Sequence, residues 1–251
     1  MNSYLDIETL RAPEEYRLQL IKETKANFKA PSSLTKTQAA KDLGMTDAKE
    51  IKFTSATDMI AKWESKFAET KAEEVANEKW EKTSFNPDIT PIACICIGWQ
   101  DTHGYKSSIF ETGVLNEAEM LEEFHSYIIS LCTANNVEVR KVNFIGHNIA
   151  KFDLPFIWKR SVINDVATCK GVKWVDARHG QHCYDTMTAW AGYGNRISAD
   201  NLSKLLGIKG KTEGMDGSLV YDTWQTDPKK VIDYCLDDVA MVKAIHERLT
   251  K

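Results

Sequence analysis

The chain has 251 residues, 43% of them hydrophobic and 10% aromatic, which is enough to fill a globular core. No apolar run approaches the length that spans a bilayer, and the N-terminus carries no apolar signal region, so we expect a cytoplasmic protein. With 32 Lys and Arg against 36 Asp and Glu, the net charge of −4 does not match a nonspecific nucleic-acid coat. A nucleic acid is therefore expected only at a local basic surface.

The chain opens on a short predicted strand. Side chains alternate along a strand, so Tyr4, Asp6 and Glu8 share one face. Leu5 and Ile7 share the other face and are expected in the core. Two converging carboxylates repel each other unless a cation lies between them, and oxygen-only ligands favour Mg²⁺ or Mn²⁺. The alternative is a half-exposed edge strand with a solvated acidic face, which this segment by itself favours.

A charged region rich in Lys, Glu and Ala follows the first strand. Residues 12–27 and 56–82 are predicted helices, the second capped by Ser55, with a looser stretch between them. We interpret the region at about 12–85 as a helical insertion in a single domain that covers residues 1–251.

The rest of the chain alternates predicted strands and helices, which indicates an α/β fold with a mixed central sheet flanked by helices. The tripeptide Tyr-Asp-Thr occurs at 184–186 and 221–223, and we expect Asp or Thr to cap the next element at both places. The predicted elements are strands at 91–98, 106–110, 140–146 and within 180–187, and helices from Asn116, over 152–160, from Ser198 to Gly207, and from Asp227-Pro228 onward.

The six cysteines form no CxxC pair, and most lie in apolar periodic stretches, which predicts reduced core thiols. The spacing of Cys169, His179, His182 and Cys183 fits no common zinc pattern. The six are Cys94, Cys96, Cys132, Cys169, Cys183 and Cys235.

The last helix places a carboxylate on its apolar face. Asp238 lies seven residues after Val231 and seven before Ile245, so it falls on the buried stripe, with Tyr234 one turn earlier. A buried carboxylate needs a partner. An Asp–Lys pair or a capping contact is one option, but the carboxylates of the first strand favour a metal ion.

A further acidic residue, Asp153, follows a predicted strand end and begins a helix. An Asp at a helix N-terminus is usually a cap. In α/β sheets, however, the loops after strand ends are also where active sites collect.

Three segments together resemble a known family. Asp6-x-Glu8, Asn148-x-x-x-Phe152-Asp153 and Tyr234-x-x-x-Asp238 are similar in order and spacing to the three exonuclease motifs of the DEDD superfamily. The Tyr four residues before the last Asp is typical of the DEDDy branch. The sister branch carries His five residues before that Asp, where this chain has Asp233.

The segments Leu206-Gly-Ile-Lys-Gly-Lys, Met215-Asp-Gly-Ser and Tyr221-Asp222 further resemble stand-alone exonucleases related to the proofreading domain of family B DNA polymerases, many of them from phages and bacteria. The resemblance covers nearly the whole chain except about residues 30–80. It implies a ribonuclease-H-like fold and 3′–5′ removal of nucleoside 5′-monophosphates from DNA, most readily single-stranded DNA.

The resemblance also implies roles for the motif residues. Asp6, Glu8 and Asp238 would hold one of two Mg²⁺ or Mn²⁺ ions, Asp6 would bridge to the second, and Asp153 would support that second ion. Tyr234 would orient the attacking water.

The implied substrate contacts are Thr9, Leu10, Asn148 and Phe152, although core packing is an equally good account of Phe152. The implied partners are DNA and a separate DNA polymerase or replication protein. The same motifs also fit a 3′–5′ exoribonuclease or a catalytically silent single-strand-binding or polymerase-accessory module. Candidate phosphate contacts, each of which is by default a solvated surface residue, are Lys151, Lys159, Arg160, Lys170, Lys173 and Arg178.

Overall fold

The computed structural model describes residues 1–101, 103–113, 116–210 and 214–251, so Lys211 of the Leu206-Gly-Ile-Lys-Gly-Lys segment lies outside the described residues. The chain divides into two compact units. The core unit comprises residues 1–10 and 85–251, and the helical unit comprises residues 11–84. The boundary follows the change in composition, while the interpretation as one domain with an insertion stays a prediction.

The helical unit contains four helices: α1 (Glu14–Ala26), α2 (Lys36–Asp42), α3 (Ala48–Phe53) and α4 (Ala56–Glu81). Helices α1 and α4 match the two predicted helices. The stretch between them was expected to be loose, which is wrong for α2 and α3. The side chains of Thr35 and Asp47 cap these two short helices, and Ala39 and Ala40 of α2 pack in a small cluster with Trp63 of α4.

The core unit is built on one five-stranded sheet with the order β3-β2-β1-β4-β5. The central strand β1 is antiparallel to β2 and parallel to β4, so the sheet is mixed, and the predicted α/β, ribonuclease-H-like class is confirmed. The strands are β1 (Asn2–Thr9), β2 (Ile92–Asp101), β3 (Gly104–Glu111), β4 (Asn143–Gly146) and β5 (Cys183–Asp185).

Helices cover both faces of this sheet. None of the helices in the described part of the chain combines the length and apolar character needed to cross a membrane. The helices of the core unit are α5 (Glu117–Ala134), α6 (Asp153–Ile163), α7 (Thr186–Ala191), α8 (Ala199–Leu205), α9 (Val220–Trp224) and α10 (Pro228–Leu249).

Most predicted helix starts are confirmed, because each depends on a side chain that bonds to backbone amides within the next turn. The confirmed caps are Ser55, Asn116 with Glu119, Ser198, and Asp227 before Pro228. Asp185 also caps α7 as expected. The second Tyr-Asp-Thr is a wrong prediction, because Asp222 lies inside α9 rather than in front of it.

The two faces of β1 pack against different helices. Leu5 and Ile7 are buried in one cluster with residues of α5 and α6, as predicted. Tyr4 belongs to a second cluster that contains Tyr234 and Cys235 of α10. Helix α10 therefore covers the face of the sheet that carries the two carboxylates of β1.

A buried histidine links α5 to α6 in the first of these clusters. His125 Nε2 lies 2.9 Å from Ser161 Oγ, and its Nδ1 accepts a hydrogen bond from the amide of Cys169 at 3.4 Å. The Trp174 ring packs edge-on at 5.2 Å. Burial lowers the pKa of His125 from 6.5 to about 4, because the charged imidazolium would lose its hydration.

The folded state therefore holds His125 neutral, and we predict a matching pH dependence of stability. The contribution is complete above the unfolded pKa of about 6.5 and is lost as the pH falls towards about 4. The loss of this contribution should lower the unfolding free energy at pH ~5 by about 2 kcal/mol relative to pH ~7.5. Urea unfolding at both pH values should show a smaller decrease for His125→Gln than for the unchanged protein.

His103→Gln is the control, since His103 is exposed and should leave the decrease unchanged. An equal decrease in the unchanged protein and in His125→Gln would contradict the assignment.

Candidate active site

Two carboxylates and two thiols form a square on one face of the sheet. In the antiparallel register of β1 and β2, Asp6 is opposite Cys96 and Glu8 is opposite Cys94. Residues that are directly opposite project from the same face of the sheet. Cys235 of α10 lies over this square, and its Sγ donates to Asp6 Oδ2 at 3.5 Å.

The carboxylates of Asp6 and Glu8 can act together on a cation. One ligand atom from each of Asp6, Glu8 and Cys235 lies within 4.8 Å of the others. Asp6 is half-buried and Glu8 is 9% exposed, so the pair is partly withdrawn from water. Two carboxylate oxygens at this spacing are a donor set that fits a hard divalent cation.

Helix α10 contributes Tyr234 and Asp238, which are 3% and 7% exposed. The predicted burial of Asp238 on the apolar stripe is therefore confirmed, and Asp233 and Asp237 are exposed as expected. Tyr234 packs in the cluster that also contains Tyr4.

The second motif lies in a tight loop after β4. A side chain at Gly146 would place its Cβ 2.6 Å from the Cβ of Ile149, so the loop needs glycine there. Asn148 has φ 65°, a left-handed conformation that Asn adopts more readily than most residues. Asp185 fixes the loop, because its carboxylate accepts the amides of Asn148 at 3.1 Å and Ala150 at 3.3 Å.

Asp153 is the first residue of α6 and is only 2% exposed. Burial raises the pKa of its carboxyl to about 7, the charge of Asp185 adds to the rise, and backbone hydrogen bonds from Asp153 and Ile7 oppose it. Strand β4 pairs with β1 only as far as Tyr4, so the edge of β1 beyond that point is not covered by β4. The carboxyl of Asp153 therefore meets the strand that carries Asp6 and Glu8.

The structure brings some predicted site residues together more closely than others. Asp6 and Glu8 share a compact ligand group, whereas Asp153 and Asp238 belong to no such group among the described residues. Asp153 is tied to β1 through Ile7, and Asp238 lies on the helix that covers β1. The assignment of all four carboxylates and Tyr234 to one catalytic site stays a prediction.

The predicted substrate contacts lie close to Glu8 and Asp153 in the sequence. Thr9 is 9% exposed, and Leu10 is half-buried against the cluster beneath α10. The ring of Phe152 lies 5.3 Å from that of Phe156 in the core and 6.3 Å from that of Phe85, which is 72% exposed. Phe152 thus packs on the core and also contacts an exposed aromatic ring.

One candidate phosphate contact is corrected. Arg160 is buried and forms an ion pair with Glu117 at 2.5 Å, and it also donates to the carbonyl of Pro87. A charge held in this way fixes the start of α5 against α6 and does not reach a phosphate. Lys159 pairs with Asp88 at 2.8 Å. The other four candidate phosphate contacts are exposed: Lys151, Lys170, Lys173 and Arg178.

Two features of the site were missed by sequence reasoning. The first is the anchoring role of Asp185, which was expected only as a helix cap. The second is the meeting of Cys94, Cys96 and Cys235, which were treated as separate core thiols. The alternation of Cys94-x-Cys96 along a strand was a usable signal for two thiols on one face.

The mixed sheet, with carboxylates on its central strand, defines an α/β protein of the ribonuclease-H-like class. Residues 86–243 match the model of a family described as "Predicted 3'-5' exonuclease related to the exonuclease domain of PolB". The match covers more than half of the chain, and the chain belongs to this family. Exonuclease domains of this type generally use divalent metal ions. No curated protein matches the chain.

The anchoring role of Asp185 gives a stability prediction. Its buried carboxylate accepts three backbone amides, those of Asn148, Ala150 and Thr188. Replacement by Ala leaves these amides without that acceptor, so Asp185→Ala should lower the unfolding free energy by about 3–5 kcal/mol in urea unfolding. The control is Asp227→Ala, an exposed helix cap with one such bond, which should cost about 1 kcal/mol. Equal losses would contradict the anchoring role.

Proposed function

We propose that the protein is a metal-dependent 3′–5′ exonuclease that hydrolyses phosphodiester bonds at the 3′ end of DNA and releases nucleoside 5′-monophosphates. The observation that carries this proposal is the family match over residues 86–243, together with the convergence of Asp6 and Glu8 on the central strand. These two observations together favour a catalytic role for β1 over the alternative of a solvated acidic face.

Divalent cations, when bound, supply charge neutralisation at the scissile phosphate and an activated water. In the proposed site Asp6, Glu8 and Asp238 would hold one Mg²⁺ or Mn²⁺, and Asp6 with Asp153 would hold a second. The amide of Ile7 orients the carboxyl of Asp153, and Cys235 orients that of Asp6. Tyr234 would orient the attacking water by hydrogen bonding.

Single-stranded DNA is the proposed substrate form. Thr9 and Leu10 would contact the terminal nucleotide, and Asn148 the sugar next to it. The half-buried ring of Phe152 and the exposed ring of Phe85 offer aromatic surface to unpaired bases of any sequence. The relationship to a polymerase exonuclease domain supports a separate DNA polymerase or replication protein as partner.

The central prediction concerns activity and its dependence on metal. With Mg²⁺ or Mn²⁺, the purified protein should shorten a 5′-labelled single-stranded DNA stepwise from its 3′ end, and excess chelator should stop the reaction. Asp6→Asn and Asp153→Ala should each lower the rate at least about 10³-fold, because each removes a proposed cation ligand.

Asp233→Asn is the matched control, since Asp233 is an exposed carboxylate on the same helix as Asp238. Persistent activity in chelator or in Asp153→Ala would contradict the mechanism. Binding of the labelled strand without any shortening would instead identify a silent binding module.

The substrate prediction compares DNA and RNA oligonucleotides of one sequence under identical conditions. The match to a family related to the exonuclease domain of PolB favours DNA as the substrate, so DNA should be degraded at least about tenfold faster than RNA. Initial rates from denaturing gels measure the ratio. Equal or faster degradation of RNA would contradict the DNA assignment and favour the exoribonuclease.

A further inference from the structure

Three buried thiols meet directly beside the carboxylates of β1. Cys94 and Cys96 project from the same face of β2, and Cys235 of α10 lies against them. One sulfur from each of the three lies within 4.8 Å of the other two, and all three residues are fully buried. We call these residues the thiol cluster.

The separations of the three sulfurs in the thiol cluster are compatible with a tetrahedral metal site. With Zn–S near 2.3 Å and Zn–O near 2.0 Å, such a site separates two sulfurs by about 3.8 Å and a sulfur from an oxygen by about 3.5 Å. The sulfurs are within 4.8 Å of one another, and Cys235 Sγ is 3.5 Å from Asp6 Oδ2. Asp6 thus adjoins the thiol cluster through Cys235, but its carboxylate does not lie within 4.8 Å of all three sulfurs, so it becomes a fourth ligand only when its side chain turns towards them.

We propose that the thiol cluster forms a site for a soft divalent cation, Zn²⁺, with the carboxylate of Asp6 turned in as the fourth ligand, and that its occupation inhibits the enzyme. The inhibition, though not the binding, rests on the proposed nuclease function. Binding replaces the thiol protons, which pass to solvent, and involves no oxidation or reduction. Three thiolates and one carboxylate give the same formal charge as a four-cysteine zinc site.

Inhibition follows from the position of Asp6 between two kinds of donor. With Glu8 it offers oxygen ligands, which suit hard ions such as Mg²⁺ and Mn²⁺. With the thiol cluster it completes a set of mostly sulfur ligands, which select Zn²⁺ over hard ions. One carboxylate oxygen cannot serve both sets fully, so a bound Zn²⁺ withdraws Asp6 from the proposed catalytic ions.

The binding test uses the reduced, metal-free, full-length protein titrated with Cd²⁺, whose thiolate complexes absorb in the ultraviolet, followed by displacement with Zn²⁺. We expect a charge-transfer band that saturates at one equivalent. Cys96→Ala and Cys235→Ala should each weaken binding at least about 100-fold, more than the loss of an outer hydrogen-bond partner costs. Cys132→Ala is the control, because it removes a buried thiol of α5 outside the cluster.

The result that overturns the site is the absence of a band in the unchanged protein, or a band that Cys96→Ala and Cys235→Ala leave unaltered. Urea unfolding confirms that each variant is folded. Asp6→Asn offers a readout that does not require loss of a thiol, since it should keep the band and weaken binding about tenfold.

The inhibition test adds Zn²⁺ to the Mn²⁺-supported reaction and expresses each rate relative to the same variant without Zn²⁺. The unchanged protein should lose activity at least about tenfold at a Zn²⁺ concentration that saturates the cluster, while Cys96→Ala should lose less than about twofold. Equal inhibition of both overturns the inhibitory role. A protein without nuclease activity in any metal refutes the proposed function, and the Cd²⁺ titration still decides the site.

Discussion

The repulsion between the carboxylates of Asp6 and Glu8 is the constraint on which the rest of the site depends. Two negative charges on one partly buried strand face cost free energy, since their attraction to water is reduced and their mutual repulsion is less screened. The thiol of Cys235 offsets part of this cost by donating to Asp6 Oδ2, although a thiol is a weak donor. A divalent cation would remove most of the remaining cost, so metal binding and stability of this face are coupled.

The short length of β4 makes the second motif possible. Strand β4 pairs with β1 only over Asn2–Tyr4 and ends at Gly146, where any side chain would collide with Ile149. The uncovered edge of β1 is thereby left to the carboxyl of Asp153, which takes a hydrogen bond from Ile7. A longer β4 would have satisfied that edge with backbone groups and kept Asp153 away from β1. The geometry of the sheet thus decides where the third carboxyl lies.

Features that depend on neighbours in sequence could be predicted from the sequence. The alternation along β1 separated Leu5 and Ile7 from the acidic face, and the helical period placed Asp238 on a buried stripe. Features that depend on the pairing of strands far apart in the sequence could not be predicted. Residues 91–98 form a continuous apolar run, and such a run gives no signal that distinguishes one register from a register shifted by one residue. Residues 11–84 separate β1 from β2 in the sequence. Only the pairing of these two strands places Cys94 and Cys96 opposite the carboxylates.

Packing by itself accounts for the burial of the three thiols, because cysteine behaves as a small apolar residue in a core. It does not account for the two contacts of Cys235 Sγ, with the carbonyl oxygen of Asp6 at 3.6 Å and with its Oδ2 at 3.5 Å. Alanine or valine at this position would fill space but donate to neither oxygen. The thiol thus ties α10 to the carboxylate that shares a ligand group with Glu8. Asp6 is therefore the residue for which the proposed catalytic ions and the proposed zinc site would compete.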